Sequence, residues 1–423
     1  MEKFVANNLL EEWKKIASLI IAQSQPRNRQ LEFSSLGALA LIGVRRCGKT
    51  SIAILKAQEI SADNFLYMNF EDPRFIEFNT FHVFDILLET YIETYKQYPE
   101  VIVFDELQNI EGWERWVRKF VDSKKSKLII TGSSAKLLSS ELSTAVAGRV
   151  LEYKIWPLSF PEYLSFKNQS AQSKEDLALF AEYMQYGAFP EVVMTKSLEL
   201  KKKILSQYFT DILFKDVMAR KGLRDKKTLE KIVYHYLTNI SCHHSYSALK
   251  RAYELGGNTP QNYTEFLQDA FLIFEVERFH KNLKVQIRDT KKIYSIDTGL
   301  RNFNSKNLTE DLGKILENII FLHLKHLDHK IYYFKEQLET DFVIVEGIRP
   351  TAAIQVTDSN LEDKKLYDRE VNGLLECLNY TGLEQGLVLT KNRRETLSIK
   401  KKTIQMIPTI EWLTSSHSRL EAI

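Results

Sequence analysis

The sequence predicts an α/β protein: a mostly parallel sheet with helices on both faces, then a helical segment, then a second, separate α/β domain. Three observations carry this. From Leu36 to about Ile155, short β-rich runs alternate with helical ones, which implies parallel strands joined by crossover helices. After Trp156-Pro157 the strand signals stop, and residues 158 to about 242 read as helices broken near Tyr186-Gly187-Ala188-Phe189-Pro190. From about Thr309 a helix leads into a new set of strands.

The elements follow in order. Residues 7 to about 22 carry Leu9, Leu10, Trp13, Ile16, Leu19 and Ile20 at helical spacing, an amphipathic helix. Strands are expected at Gly37–Ile42, Asn64–Asn69, Val101–Asp105, Lys127–Thr131 and Val150–Ile155, with helices near 49–61, 79–97, 113–122 and 134–140. Beyond the helical segment come Ser245–Leu249, a turn at Leu255–Asn258, a helix at Thr259–Asp269, and alternating runs at Phe271–Phe279 and Lys291–Ile296. Helix, turn, helix and hairpin is the winged-helix pattern. The last domain opens on a helix with Leu312, Ile315, Leu316, Ile319, Ile320 and Leu324. It continues through strands at Ile331–Phe334, Asp341–Val345 and Ala352–Val356, a helix near 364–379 and a strand at Gly386–Leu389. The boundaries read 1–157, 158–240, 241–300 and 301–423.

Bulk properties bound the function. A chain of 423 residues supports more than one core, and 44% hydrophobic with 27% charged residues excludes disorder and fibres. Lys plus Arg is 58 against Asp plus Glu 55, so a nucleic-acid surface, if present, is local. No apolar run approaches the roughly 20 residues that span a bilayer, and MEKFVANNLLEEWKK lacks a signal-peptide core. The reading is cytoplasmic, without a membrane partner. Cys47, Cys242 and Cys377 are too scattered for a disulfide framework or a zinc site.

The chemistry concentrates in Gly43-Val44-Arg45-Arg46-Cys47-Gly48-Lys49-Thr50, followed by Ser51. G-x-x-x-x-G-K-[ST] between an apolar strand and a helix is a phosphate-binding loop. Gly43 and Gly48 permit the backbone angles that turn successive N–H groups toward anionic oxygens at a helix N-terminus. Lys49 is expected to reach the β- and γ-phosphates of ATP, and the Thr50 hydroxyl to bind Mg²⁺. About 55 residues after the loop, Val101-Ile102-Val103-Phe104-Asp105-Glu106 supplies a buried strand ending in two carboxylates, where ligands bind in open α/β sheets. Asp105 is expected to hold the magnesium and Glu106 to act as general base on water. For Ser133 and Ser134, sensing of the γ-phosphate and capping of the next helix both stand. Arg149 is the arginine-finger candidate, acting in trans, with a surface salt bridge as its alternative. Cys47 reads either as a thiol activated by helix N-terminal dipoles or as a small filler.

GVRRCGKT, YMNFEDPR (Tyr67–Arg74), IVFDELQNIEGWERWVRKFVD (Ile102–Asp122), the segment Ile129–Leu164 and YGAFPEVV (Tyr186–Val193) together resemble AAA-type ATP-binding proteins of bacteria and archaea with a C-terminal domain of unknown function. KIYSIDTGLRN (Lys292–Asn302), LGKILENIIFLHL (Leu312–Leu324), ETDFVI (Glu339–Ile344) and AIQV (Ala353–Val356) extend the resemblance over nearly the whole chain. It implies an AAA-like P-loop ATPase core, a helical lid with a winged helix, and a C-terminal α/β domain of restriction-endonuclease-like fold. It also implies Gly187 and Pro190 as adenine-side contacts, although the spacing here is Gly-Ala-Phe-Pro.

Nucleases of that fold hold a metal with two carboxylates and steady water with a lysine. Glu317, Asp341 and Gln355-Val356-Thr357 fall at the corresponding places, but Thr357 stands where the lysine belongs, and Lys364 and Lys365 lie past a loop. Docking or nucleic-acid holding is therefore the expected role, not cleavage. Lys250, Arg251, Asn258, Gln261 and Asn262 are the DNA candidates on the winged helix, while Lys201–Lys203, Lys226-Lys227 and Arg393 to Lys402 read as solvated faces. The function expected is a Mg²⁺-dependent ATPase or ATP-driven switch; the alternative is an ATP-regulated DNA-binding protein or nuclease effector. A protein partner or homo-oligomer fits the finger reading.

Overall fold

The structure, a computed structural model, describes all residues except 28, 34–36, 134–147, 170–175, 306–310 and 416–423. The helix expected near 134–140, and Ser134 with it, lie outside the described residues. The chain divides into two units, Met1–Trp156 and Pro157–Ile423.

The first unit is built on β1 (Ala38–Ile42), β2 (Phe65–Asn69), β3 (Val101–Asp105), β4 (Lys127–Gly132) and β5 (Leu151–Lys154). They form one sheet in the order β2-β3-β4-β1-β5, every pairing parallel. β1 and β3 are buried at every position, which fits their unbroken apolar sequences ALALI and VIVFD. The crossovers are α2 (Lys49–Ile60), α3 (His82–Tyr95) and α4 (Trp113–Ser123), preceded by α1 (Lys3–Gln23). On α4, Trp113, Trp116, Val117, Phe120 and Val121 recur at helical spacing and are all buried. Trp116 meets Phe84 and Phe104 at ring-centroid distances of 5.0 and 5.6 Å, and Phe84 stacks on Phe104 at 5.1 Å. Burying each such side chain contributes roughly 1.5–3 kcal/mol. The cluster grips Phe104, the residue before Asp105, and so fixes the end of β3.

The second unit begins with helices Phe160–Phe166, Asp176–Tyr186, Pro190–Met194 and Leu198–Asp211, the last continuing as a wider π-helical stretch over Ile212–Ala219, then Lys226–Thr238. Next come β6 (His243–His244), helices Tyr246–Ala252 and Thr259–Asp269, β7 (Ile273–Val276), a short helix Leu283–Arg288 and β8 (Lys291–Ser295). These strands make a three-stranded sheet ordered β6-β8-β7. A helix at Leu312–His326 precedes β9 (Lys330–Lys335), β10 (Glu339–Glu346), β11 (Arg349–Val356), β12 (Gln385–Thr390), β13 (Glu395–Ile399) and β14 (Lys402–Pro408), with helix Lys364–Thr381 between β11 and β12. Their sheet runs β13-β14-β12-β11-β10-β9, parallel across β11-β12-β14 and antiparallel elsewhere. Its core gathers Val343, Ala353, Leu374, Cys377, Leu378 and Val388. Among the described residues no helix is long and apolar enough to cross a membrane.

One contact joins two motifs of this unit. Asp297, buried, accepts the Ala188 N–H at 2.7 Å and the Leu300 N–H at 2.9 Å, capping the helix Thr298–Asn304. Gly187 lies against it at φ 75°, where an added Cβ would stand 2.1 Å from the carboxylate. Burial pushes the Asp297 carboxyl up to about 6.

Candidate functional site

The parallel sheet brings residues from four segments to its C-terminal edge. The register sets Ile42 beside Gly132 and Asn69 beside Asp105. The loop therefore leaves β1 beside the end of β4, with the acidic pair one strand further on. At Gly43 the demand is close approach, not an unusual backbone angle: an added Cβ would lie 1.9 Å from the Ile155 carbonyl oxygen. Positive φ occurs instead at Gly48 (96°), which starts α2, and at Arg46 (70°). This corrects the expectation that Gly43 serves through its conformational freedom.

Lys49 is buried, and its ammonium donates to the Gly43 and Val44 carbonyls, each at 3.0 Å. The loop thus closes on its own lysine. Thr50 Oγ1 donates to Asp105 Oδ2 at 2.8 Å, joining positions 55 apart in sequence. Asn69 Nδ2 and Tyr67 OH donate to the same oxygen at 3.0 and 3.4 Å, and Thr131 Oγ1 donates to Asp105 Oδ1. Burial and the neighbouring Glu106 push the Asp105 carboxyl up to about 6, against the hydroxyls of Thr131 and Thr50 and the charge of Lys49. Burial, with Asp105 beside it, drives the Tyr67 phenol well above its ordinary range, so Tyr67 is a neutral donor.

Glu106 adopts φ 53°, turning the chain out of β3, and its N–H donates to Thr131 Oγ1 at 3.2 Å. Ser133 Oγ, fully buried, donates to Glu106 Oε2 at 3.1 Å, and Gln108 Nε2 donates to that oxygen too. Ser133 thus addresses the second carboxylate from the end of β4. Arg45 pairs with Glu71 at 2.7 Å, and Arg27 Nη1 donates to the Cys47 and Trp156 carbonyls at 3.0 and 2.9 Å, holding the loop from the segment before β1. Cys47 is fully buried with its thiol 3.1 Å from the Ile155 oxygen, the arrangement of a filler. Arg149 stands in an ion pair with Asp122 at 2.7 Å on the surface. Gly187 and Pro190 belong to the second unit, Gly187 against Asp297 and Pro190 opening the helix Pro190–Met194.

Among the described residues, no three His, Cys, Asp or Glu side chains group as a metal would require. Magnesium commonly takes one or two protein ligands beside water and phosphate oxygens. The Thr50 hydroxyl against a carboxylate crowded by a second acid fits that mode.

The sequence missed Tyr67, Asn69 and Gln108. Asn69 was legible only through register: it ends the strand next to β3.

The second unit holds a different polar cluster. Lys292 of β8 is buried, its ammonium 3.0 Å from Glu317, 2.7 Å from Glu339 and 3.0 Å from Asp341. Tyr294 OH donates to Glu317 at 2.6 Å, and Asp341 Oδ2 accepts the Val356 N–H at 3.0 Å. Gln355 Oε1 accepts the Asp341 N–H at 3.2 Å. Lys292 thus meets these carboxylates from β8, while Lys364 and Lys365 stay exposed. The ammonium already engages all three carboxylates, so the cluster as arranged fits a lysine and not a metal ion. A further correction falls on Lys201, which is buried with its ammonium 2.6 Å from Glu182 and is no part of a solvated face.

Comparison with known proteins bears on the family of the chain. Residues 36–164 match the family described as AAA domain, and residues 177–311 match a domain of unknown function. The uncharacterized protein MJ1544 of Methanocaldococcus jannaschii is 31% identical over 398 residues, covering 88% of this chain and 87% of the relative. An uncharacterized Haemophilus influenzae protein is 30% identical over 340 residues, covering 78% and 84%. The Orc1 protein of Aeropyrum pernix, solved in complex with DNA, is 11% identical over 71% of this chain and 92% of its own, with a TM-score of 0.31, too low to support an argument. The first unit is an AAA-type P-loop domain, and the chain belongs to the family of AAA-domain proteins that includes the M. jannaschii and H. influenzae relatives.

Proposed function

We propose that the first unit binds ATP and hydrolyses it. The observation that carries this is the convergence of Lys49 and Thr50 on Asp105 and Glu106 at one sheet edge, made by a 2.8 Å bond between Thr50 and Asp105. The residues of Gly43 to Ser51 hold the phosphates, with Lys49 turning from the loop carbonyls to the anionic oxygens. An open cleft of about 500 Å³ beside α2, lined by Pro26, Arg27, Leu31, Ile52 and Leu55, offers room for the base. Thr50 and Asp105 would hold magnesium, which supplies charge neutralisation at the phosphates. Glu106 takes the proton of the attacking water, and Ser133 steadies Glu106. As a finger, Arg149 would serve a nucleotide held by another copy and must first leave Asp122. Nucleotide turnover then sets the state of the second unit, the switch role.

Lys49→Ala is expected to abolish ATP binding and phosphate release, measured by calorimetry and phosphate assay. Tight ATP binding by this variant would refute the assignment.

A second reading, nucleic-acid binding by the second unit, is favoured by one observation. Lys250, Arg251, Asn258, Gln261 and Asn262 are all exposed, as are Lys281, Lys284 and Arg288 on the segment joining β7 to β8, the place of the wing in a winged helix. It predicts a mobility shift that weakens steeply with salt. Because Lys292 occupies the carboxylate cluster, Mg²⁺ or Mn²⁺ is expected to leave DNA and RNA uncut; nicking lost on Asp341→Ala would reverse that conclusion.

A further inference from the structure

The turn after β3 carries a carboxamide that the ATPase reading leaves unused. Gln108 lies in the 3₁₀ turn Leu107–Asn109, two residues beyond Glu106. Its Nε2 donates to Glu106 Oε2, the oxygen that also receives Ser133 Oγ at 3.1 Å. Its other polar atom, Oε1, is buried and has no hydrogen-bond partner among the described residues. A buried amide oxygen without a donor is uncommon in folded proteins and calls for an explanation. Here the atom belongs to the same rigid amide that holds the candidate general base, so it lies one amide width from the donor that grips the carboxylate.

Resting on the hydrolysis reading above, we infer that Gln108 is a positioning residue for the attacking water. Its amide N–H fixes the Glu106 carboxylate, and its amide oxygen accepts one hydrogen of the water whose other hydrogen points to Glu106. In the step that follows, one O–H bond of the water breaks and its proton passes to Glu106. The water oxygen bonds to the γ-phosphorus. The bond from that phosphorus to the bridging oxygen breaks, and its electron pair leaves on ADP. Gln108 is unchanged throughout, because its part is to reduce the orientations open to water and carboxylate before the step.

The test compares Gln108→Ala and the isosteric Gln108→Glu with wild type. Both are expected to lower kcat by at least about 10-fold, a modest share of a general-base effect. ATP affinity, read by calorimetry on the same proteins, should stay within about twofold, since the residue does not serve ground-state binding. Gln108→Glu keeps the shape of the side chain, so a normal thermal unfolding curve for it separates positioning from misfolding. In a Glu106→Gln background, Gln108→Ala should cause no further loss, because the two residues act as one unit. An unchanged or raised kcat in the single variants, or ATP affinity falling in step with kcat, would overturn the inference. Absence of turnover by the wild-type protein would sink the hydrolysis reading instead, while turnover that Glu106→Gln fails to reduce would remove Glu106 from the chemistry and overturn this inference with it. Normal turnover abolished by Glu106→Gln but untouched in both Gln108 variants would sink this inference alone.

Discussion

Glu106→Gln is expected to keep ATP bound while turnover falls by a factor on the order of 10²–10⁴, the range a positioned general base contributes. The substitution is isosteric, so the turn after β3 and its φ of 53° are retained. The amide oxygen can still accept from Ser133 or Gln108, the donors now on the carboxylate. What disappears is an atom able to take a proton from water. A second consequence follows from the electrostatics. Glu106 is one of the causes that push the Asp105 carboxyl up to about 6, so removing its charge lets Asp105 ionise at lower pH. Magnesium-supported nucleotide binding should then persist further into acid than in wild type. Calorimetric titration with ATP across pH 5–8, beside a phosphate-release assay, checks both parts. Turnover equal to wild type would remove Glu106 from the chemistry, and lost ATP binding would make its role structural.

The legibility of this site divides along the physics. Short, strongly patterned segments were readable: Val101–Asp105 is a strand over the expected residues, and Thr259–Asp269 is a helix over the expected residues. The strand is an unbroken buried apolar run, and the helix has Pro260 in its first turn and buries Tyr263 and Leu267 at helical spacing. The strands Glu395–Ile399 and Lys402–Pro408 were hidden because Lys400, Lys401 and Lys402 dominate the segment; the two pair with each other as an antiparallel hairpin across that lysine turn, and only Lys402–Pro408 reaches β12. Two-residue β6 and the helix Leu283–Arg288 are too short to leave a periodic signal. In the site, the loop and the Asp105-Glu106 pair were legible because their spacing encodes a strand edge. Tyr67, Asn69 and Gln108 were not, because each acts through register or a tight turn on a neighbour. The same limit hid Lys292. Thr357, just past the end of β11, offers no cation, whereas the ammonium that meets Asp341 arrives from β8, 49 residues earlier.

Lys292→Met is expected to destabilise the second unit by roughly 3–5 kcal/mol, the cost of breaking a buried ion pair by removing one partner. Methionine keeps most of the length and packing of the lysine, so the loss reports charge and not a cavity. Without the ammonium, Glu317, Glu339 and Asp341 are left facing one another with one fewer cation. The pH dependence gives the effect its signature. Burial and Asp341 push the Glu317 carboxyl up to about 8, with Lys292 and the Tyr294 hydroxyl opposing. A raised acid of this kind contributes stability that is fully present below its unfolded value near 4.5 and is lost as pH rises toward 8. Glu339 behaves oppositely: despite burial, His243 and Lys292 hold it well below the usual carboxylate range, so its contribution is present above that range and lost in acid. Removing Lys292 raises Glu317 further and takes away part of what keeps Glu339 ionised. The deficit of the variant should therefore be smallest in acid, open as pH passes through the carboxylate range, and be largest near pH 8–9. Denaturant unfolding of both proteins at several pH values measures the difference directly. Equal stability at pH 8 would show that the carboxylates are satisfied without Lys292, and the case against a metal in that cluster would fall with it.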